Sequence, residues 1–112
     1  MAGKFVIKKT DNGQFHFNIE AGNGEIILTS ETYVAKYGAS HGIASARINA
    51  LLDERYERKV ASDGSPYFTL KAANGEPLGR SEMYSSPSAC ENGIASVKTN
   101  APTASIVDLT GA

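Results

Sequence analysis

Apolar and polar side chains alternate from the start of the chain. Phe5 and Ile7 interleave with Val6 and Lys8, and Asn12-Gly13 then breaks the run. In "QFHFNIE", Phe15, Phe17 and Ile19 fall on one side and His16, Asn18 and Glu20 on the other; Asn23-Gly24 interrupts before "EIILTS". A period of two marks half-buried strands. Asn-Gly between such runs is the strongest short hairpin signal, because a two-residue type I′ turn needs positive φ at both positions. The scheme returns as Asp63-Gly64, "YFTLK", Asn74-Gly75 and "EPLGRS". Each half is therefore predicted to be a three-stranded antiparallel meander with one apolar and one polar face.

The period then changes. In "SPSACENGIASVKTNAP", Ala89, Gly93, Ile94, Val97 and Ala101 recur at three- and four-residue spacing, a single helical stripe. Ser86 before Pro87, or Ser88 with Glu91, supplies a cap, and Asn100 followed by Pro102 a stop. In the first half Tyr37 stands in the place of Ser88, and "NALLDER" can carry the helix past Asn49. That helix is predicted to run about one turn longer than its partner.

The halves are copies. With an offset of 51 and no gap, residues 5–50 align with 56–101, and 16 of the 46 pairs are identical. About three would match by chance at ordinary composition. Among the identities are Asn23/Asn74, Gly24/Gly75, Ser30/Ser81, Glu31/Glu82, Tyr33/Tyr84 and Gly42/Gly93. The chain reads as a tandem duplication within a single domain of residues 1–112, with repeats at about 5–55 and 56–101. One copy alone is marginal in size, so the two are expected to share a core.

Gly42 and Gly93 interrupt helices where glycine costs about 1 kcal/mol relative to alanine. Packing explains them if the helix backbone approaches the sheet or the other helix too closely for a Cβ; the alternative is a backbone surface left open for a ligand. Carrying the offset onward places Val107 of "SIVDLTG" where Phe5 and Tyr56 fall. Residues 106–110 are accordingly predicted to form a strand on the edge of the first copy.

A net charge of −1 gives no electrostatic case for nucleic acid or an anionic membrane. No apolar run approaches a membrane span, the N-terminus lacks a signal-like segment, and the lone Cys90 cannot form an internal disulfide. A cytoplasmic protein is the expectation.

Hairpins ending in "KAANGE", a linking "SEMYSSPSA", a helix "ENGIASVKTNA" and a tail "IVDLT" resemble the YegP-like family of small uncharacterised bacterial proteins. The resemblance covers nearly the whole chain. It implies an α+β fold: a tandem duplication of a β(3)-α-β unit forming a single antiparallel sheet with two helices packed on one face, pseudo-two-fold symmetry and exchange of C-terminal strands. The first copy departs from the family pattern at "KYGASH". The resemblance carries over no catalytic residue and no cofactor.

Candidate chemistry is sparse. His16 matches Tyr67 and His41 matches Asn92, so the histidines form no metal signature and are expected at the surface. Cys90 near a helix start could be activated, but a cysteine beside an apolar stripe is more simply a small core residue. The most suggestive set is Ser30, Glu31 and Tyr33 with Ser81, Glu82 and Tyr84, at the strand-to-helix junctions. Locally they could satisfy backbone groups and cover the helix; functionally they could form two related polar pockets. Gly42, Gly93 and the turn residues Asn23, Gly24, Asn74 and Gly75 are structural candidates. No cofactor is predicted. The leading reading is a non-enzymatic binding or interaction module that offers the polar sheet face of Lys8, His16, Asn18, Lys59, Tyr67 and Thr69 to a protein or small molecule. The alternative is a small enzyme or metabolite-binding protein using the Ser-Glu-x-Tyr junctions. An internal pseudo-dimer of this kind is expected to be a monomer.

Overall fold

A computed structural model describes residues 3–111. The elements run β1 (Lys4–Lys9), β2 (Phe15–Glu20), β3 (Ile26–Ser30), α1 (Lys36–Asn49), a 3₁₀ turn (Asp53–Arg55), β4 (Tyr56–Val60), β5 (Pro66–Lys71), β6 (Pro77–Arg80), α2 (Pro87–Asn100) and β7 (Ser105–Asp108). They form a seven-stranded sheet in the order β4-β5-β6-β3-β2-β1-β7. Each copy contributes the predicted meander. The copies join through β3 and β6, where Thr29 lies opposite Arg80, its own counterpart 51 residues on.

All four hairpin turns have the same form. Ala21 N–H donates to Glu25 O at 2.8 Å and Gly24 N–H to Ala21 O at 2.9 Å, and the other three turns repeat the pattern. Among the described residues positive φ occurs only at glycine, so these are three-residue loops closed by a glycine bulge rather than the expected type I′ turns. The asparagine or aspartate before each glycine serves differently: Asn23, Asp63 and Asn74 each accept the N–H two residues on at 3.0 Å.

One core serves both copies. Phe5, Phe17, Ile19, Leu28, Phe68 and Leu70 meet Ala39, Ile43 and Ala46 of α1 and Cys90, Ile94 and Val97 of α2. The helices run across the strands rather than along them: α1 touches β2, β5 and β6, and α2 touches β5 and β3. Each helix thus carries the chain from one copy to the other.

That crossing explains a correction. The sheet is mixed rather than antiparallel, because β7 runs parallel to β1. The first helix delivers β4 beside β5, but the corresponding place beside β2 already holds β1. The strand after α2 must therefore add outside β1, entering at the end where β1 begins. The predicted tail strand exists, at Ser105–Asp108 rather than 106–110, with Phe5 opposite Ile106 and Ile7 opposite Asp108.

The helices are also equal in length, 14 residues each, so the expected extra turn of α1 is absent. Leu51 and Leu52 do not continue the buried stripe, and both are exposed. Instead Tyr56 Oη donates to Ala50 O at 2.7 Å, and Arg55 Nε donates to Asn49 Oδ1 at 2.8 Å. These bonds fix the helix end and turn the chain into β4. At its start, α2 has the predicted cap: Ser86 Oγ accepts from Ala89 N–H at 3.1 Å, with Pro87 at the first helical position. Ala35 at the start of α1 offers no side-chain cap.

Candidate functional site

The Ser-Glu-x-Tyr junctions are built alike in the two copies. Ser30 Oγ accepts Phe17 N–H at 2.8 Å and donates to Glu31 O at 2.7 Å; Ser81 repeats this with Phe68 N–H and Glu82 O at 2.9 and 2.8 Å. Each serine is buried and stands in for a carbonyl where the ladder between strands ends. Tyr33 stacks on Phe17 and Tyr84 on Phe68, with centroids 6.5 and 6.4 Å apart. Burial raises both phenol pKa values, with nearby acidic groups adding to the effect.

The same tyrosines account for the helix glycines. A Cβ at Gly42 would meet Tyr33 Cζ at 2.9 Å, and one at Gly93 would meet Tyr84 Cζ at 2.6 Å. Close approach is the reason for these glycines, but the neighbour is the tyrosine of the same copy, not the sheet backbone or the other helix.

On the open face the predicted polar side chains are placed by register: Lys8 lies opposite His16, Lys59 opposite Tyr67, Asn18 opposite Thr29 and Thr69 opposite Arg80. The surface is uneven. A cleft of about 340 Å³ opens over β3, β5 and β6, lined by Thr29, Glu31, Lys59, Tyr67, Thr69 and Arg80, with Ser30 and Pro77 completing it. A smaller hollow of about 250 Å³ holds Ser81 and Glu82 on the other side of Thr29 and Arg80. Ser30, Glu31 and Tyr67 are therefore brought together, while Ser81 and Glu82 lie apart. A third hollow, of about 450 Å³, lies on the helix side. Tyr33, His41 and Gly42 of the first copy face Asn74 and Glu76 of the second across it.

The copies differ at the open-face cleft. In the first, Asn18 Nδ2 donates to Thr29 Oγ1 at 2.9 Å, so the two side chains satisfy each other. Their counterparts are Thr69 and Arg80, which make no such bond. Neither Arg80 nor Glu31 forms an ion pair among the described residues. Lys59 is partly engaged by Glu57 at 3.6 Å, whose closer partner is Lys71 at 2.6 Å. Arg80 lies between Thr29 and Thr69 in register, and a guanidinium without an ion pair can hold a carboxylate or phosphate by paired N–H donation. Arg80 escaped the sequence reading because scattered basic residues carry no local signal; its place opposite Thr29 arises only when the two copies pair.

His16 lies half-buried on the open face, and its Nδ1 is enclosed without a partner. Burial, and then Lys8, lower its pKa. His41 is exposed and packs edge-on against Tyr37. Cys90 belongs to the core, and burial raises its thiol pKa, the wrong direction for an activated nucleophile. Among the described residues, no group of three His, Cys, Asp or Glu is placed to hold a metal, and no helix is long and apolar enough to cross a membrane.

Comparison with known proteins places this architecture. A solution NMR structure of the protein of unknown function YegP from Escherichia coli superposes with a TM-score of 0.94 at 51% identity, covering 100% of this chain and 97% of that one. A UPF0339 protein from Shewanella oneidensis gives a TM-score of 0.92 at 50% identity, covering 98% and 93%. A UPF0339 protein of Bordetella pertussis is 56% identical over 112 residues, the whole of both chains. None of these names carries an assigned activity. The model of the family described as Domain of unknown function (DUF1508) matches twice, at residues 11–57 and 61–108, which fits a duplication. The chain belongs to the DUF1508 family, among its UPF0339/YegP-like members.

Proposed function

We propose that this chain is a non-enzymatic binding module whose ligand surface is the open-face cleft around Arg80, and that its ligand is a small anionic molecule. One observation carries the reading. At the centre of the sheet a guanidinium without an ion-pair partner shares a cleft with Lys59, two threonine hydroxyls and Tyr67, whereas the equivalent polar side chains of the first copy bond to each other. The duplication thus supplies its own control, one copy closed and the other open. In this reading residues 1–112 form a single domain of two repeats related by a pseudo-two-fold axis, which the pairing of Thr29 with Arg80 supports. The module acts in the cytoplasm as a monomer.

The test is amide-shift mapping by NMR, with phosphate, citrate and the free amino acids titrated separately. Shifts should gather at Thr29, Tyr67, Thr69 and Arg80, and Arg80→Met, which keeps the aliphatic stem, should abolish them. Shifts that persist unchanged in Arg80→Met, or no shift at these residues with any of these compounds, contradict the reading.

A further inference from the structure

The sheet has one strand more than two equal meanders supply. At one end β7 covers β1; at the other, β4 is the last strand, and no strand pairs with its outer side among the described residues. The backbone groups left there follow from the turns. Ala61 N–H bonds Ser65 O, so by alternation Glu57 and Lys59 point their backbone groups at β5. Those of Arg58 and Val60 point outward. Their counterparts in β1 do the same and are used: Ile7 O accepts Leu109 N–H at 2.9 Å. We infer that the outer edge of β4 is a strand-addition site for an extended segment of a partner protein, running parallel to β4 as β7 runs parallel to β1.

The chain itself displays the bound form. Past its last paired residue, the tail reaches the start of α1, where Lys36 Nζ donates to Asp108 Oδ2 at 2.8 Å and to Thr110 Oγ1 at 3.1 Å. The residue equivalent to Lys36 in the second copy is Pro87. It lines a hollow of about 230 Å³ between β4 and the start of α2 with Val60, Pro66 and Cys90, and Arg58, Lys59 and Glu91 complete it. Val60 is 71% exposed there. The place that takes a polar tail in the first copy therefore presents mainly apolar surface in the second, bordered by charged side chains. The partner segment is then an extended peptide whose residue just past Arg58 is not proline, so that its N–H can bond Arg58 O, and whose next residue carries an apolar side chain seated over Pro87 and Cys90. Main-chain bonds supply affinity in such strand addition, and the hollow supplies selectivity.

Charge on β4 fits selective docking rather than indiscriminate pairing. Arg58 is bound to Glu91 at 2.6 Å and to Asp53 at 3.1 Å, and Lys98 also reaches Asp53 at 3.0 Å. This network borders the edge on the helix side, and Glu57 and Lys59 border it on the open face. Charged borders disfavour a flat apolar strand and leave the backbone available to a chosen one. The site adjoins the Arg80 cleft, sharing Lys59 with it, but rests on the outward backbone groups of Arg58 and Val60, which the cleft does not use.

The probe is a synthetic peptide of residues 103–111 of this chain, added in trans to the labelled full-length protein. Amide shifts and slowed exchange are expected at Arg58 and Val60. A peptide with Thr110→Leu, which offers an apolar group to the hollow, should bind several-fold more tightly. One with Leu109→Pro, which removes the N–H that bonds the edge, should lose binding. The inference is overturned if shifts appear only along β1, where the peptide displaces the chain's own tail, or if Arg58 and Val60 stay unchanged at millimolar peptide. It is equally overturned if those amides shift with protein concentration alone, since β4 would then pair with a second copy of the chain.

Discussion

The ring of Tyr84 lies over Gly93. A Cβ on that glycine would meet Tyr84 Cζ at 2.6 Å and Cε2 at 3.1 Å. The ring has little room to withdraw, because it stacks on Phe68 at an interplanar angle of 10°. Gly93→Ala should therefore destabilise the native protein by about 1–3 kcal/mol through overpacking. In a Tyr84→Ala background the same change should stabilise by about 1 kcal/mol, the ordinary helix preference for alanine over glycine. Urea denaturation of the four proteins of this cycle measures the coupling. Equal effects in both backgrounds would show that the ring is not the reason for the glycine.

Ser81 bridges Phe68 N–H and Glu82 O from a buried position. Ser81→Ala leaves that N–H without its partner and should cost about 1–3 kcal/mol. Ser30→Ala should cost a similar amount, because its bonds are the same. Chemical denaturation checks both. Exposed Glu82, changed to Gln, should leave stability within about 0.5 kcal/mol of the parent, separating the structural serine from its neighbour.

Much of this was legible in the residues. Alternation placed Phe17, Ile19, Phe68 and Leu70 on one face, and the 51-residue offset revealed the duplication and marked residues near Val107 as a further strand. Three features were not legible, each for a physical reason. Turn type depends on loop length as well as on the Asn-Gly dipeptide, and the bonds from Thr10 to Gln14 and from Ala61 to Ser65 close three-residue loops. The direction of β7 depends on α2 crossing the strands, which a one-dimensional pattern does not encode. The cleft depends on Thr29 meeting Arg80 across the join of the two copies.

The tail should respond to acid. Lys36, and then the hydroxyl and N–H of Thr110, hold the Asp108 carboxyl well below the usual carboxylate range. A carboxyl depressed in the folded state contributes stability above its unfolded pKa of about 3.9, and that contribution is lost as pH falls through the folded value. Protection of Val107 and Leu109 against amide exchange should therefore fall below about pH 4. Lys36→Met should lower protection at neutral pH and flatten its acid dependence. An unchanged acid response in Lys36→Met would separate the tail's attachment from this ion pair.

His16 should add a second, milder acid response. Its pKa is lowered by burial and then by Lys8, and Nδ1 is enclosed without a partner, so folding favours the neutral ring. The stability this provides is present above the unfolded pKa of about 6.5 and is lost as pH falls through the folded value. His16→Tyr, which copies Tyr67 of the second repeat, should flatten the melting temperature between about pH 7 and 5. A slope equal to the parent's over that window would place the titrating group elsewhere.

Arg80 is proposed to hold an anionic ligand. That role is tested most directly by incubating the immobilised protein and its Arg80→Met variant with the same bacterial lysate, then identifying retained small molecules by mass spectrometry. One or a few anionic metabolites should elute reproducibly from the parent protein and be absent from Arg80→Met. Equal retention by both proteins, or no metabolite retained by the parent above a blank support, would contradict it.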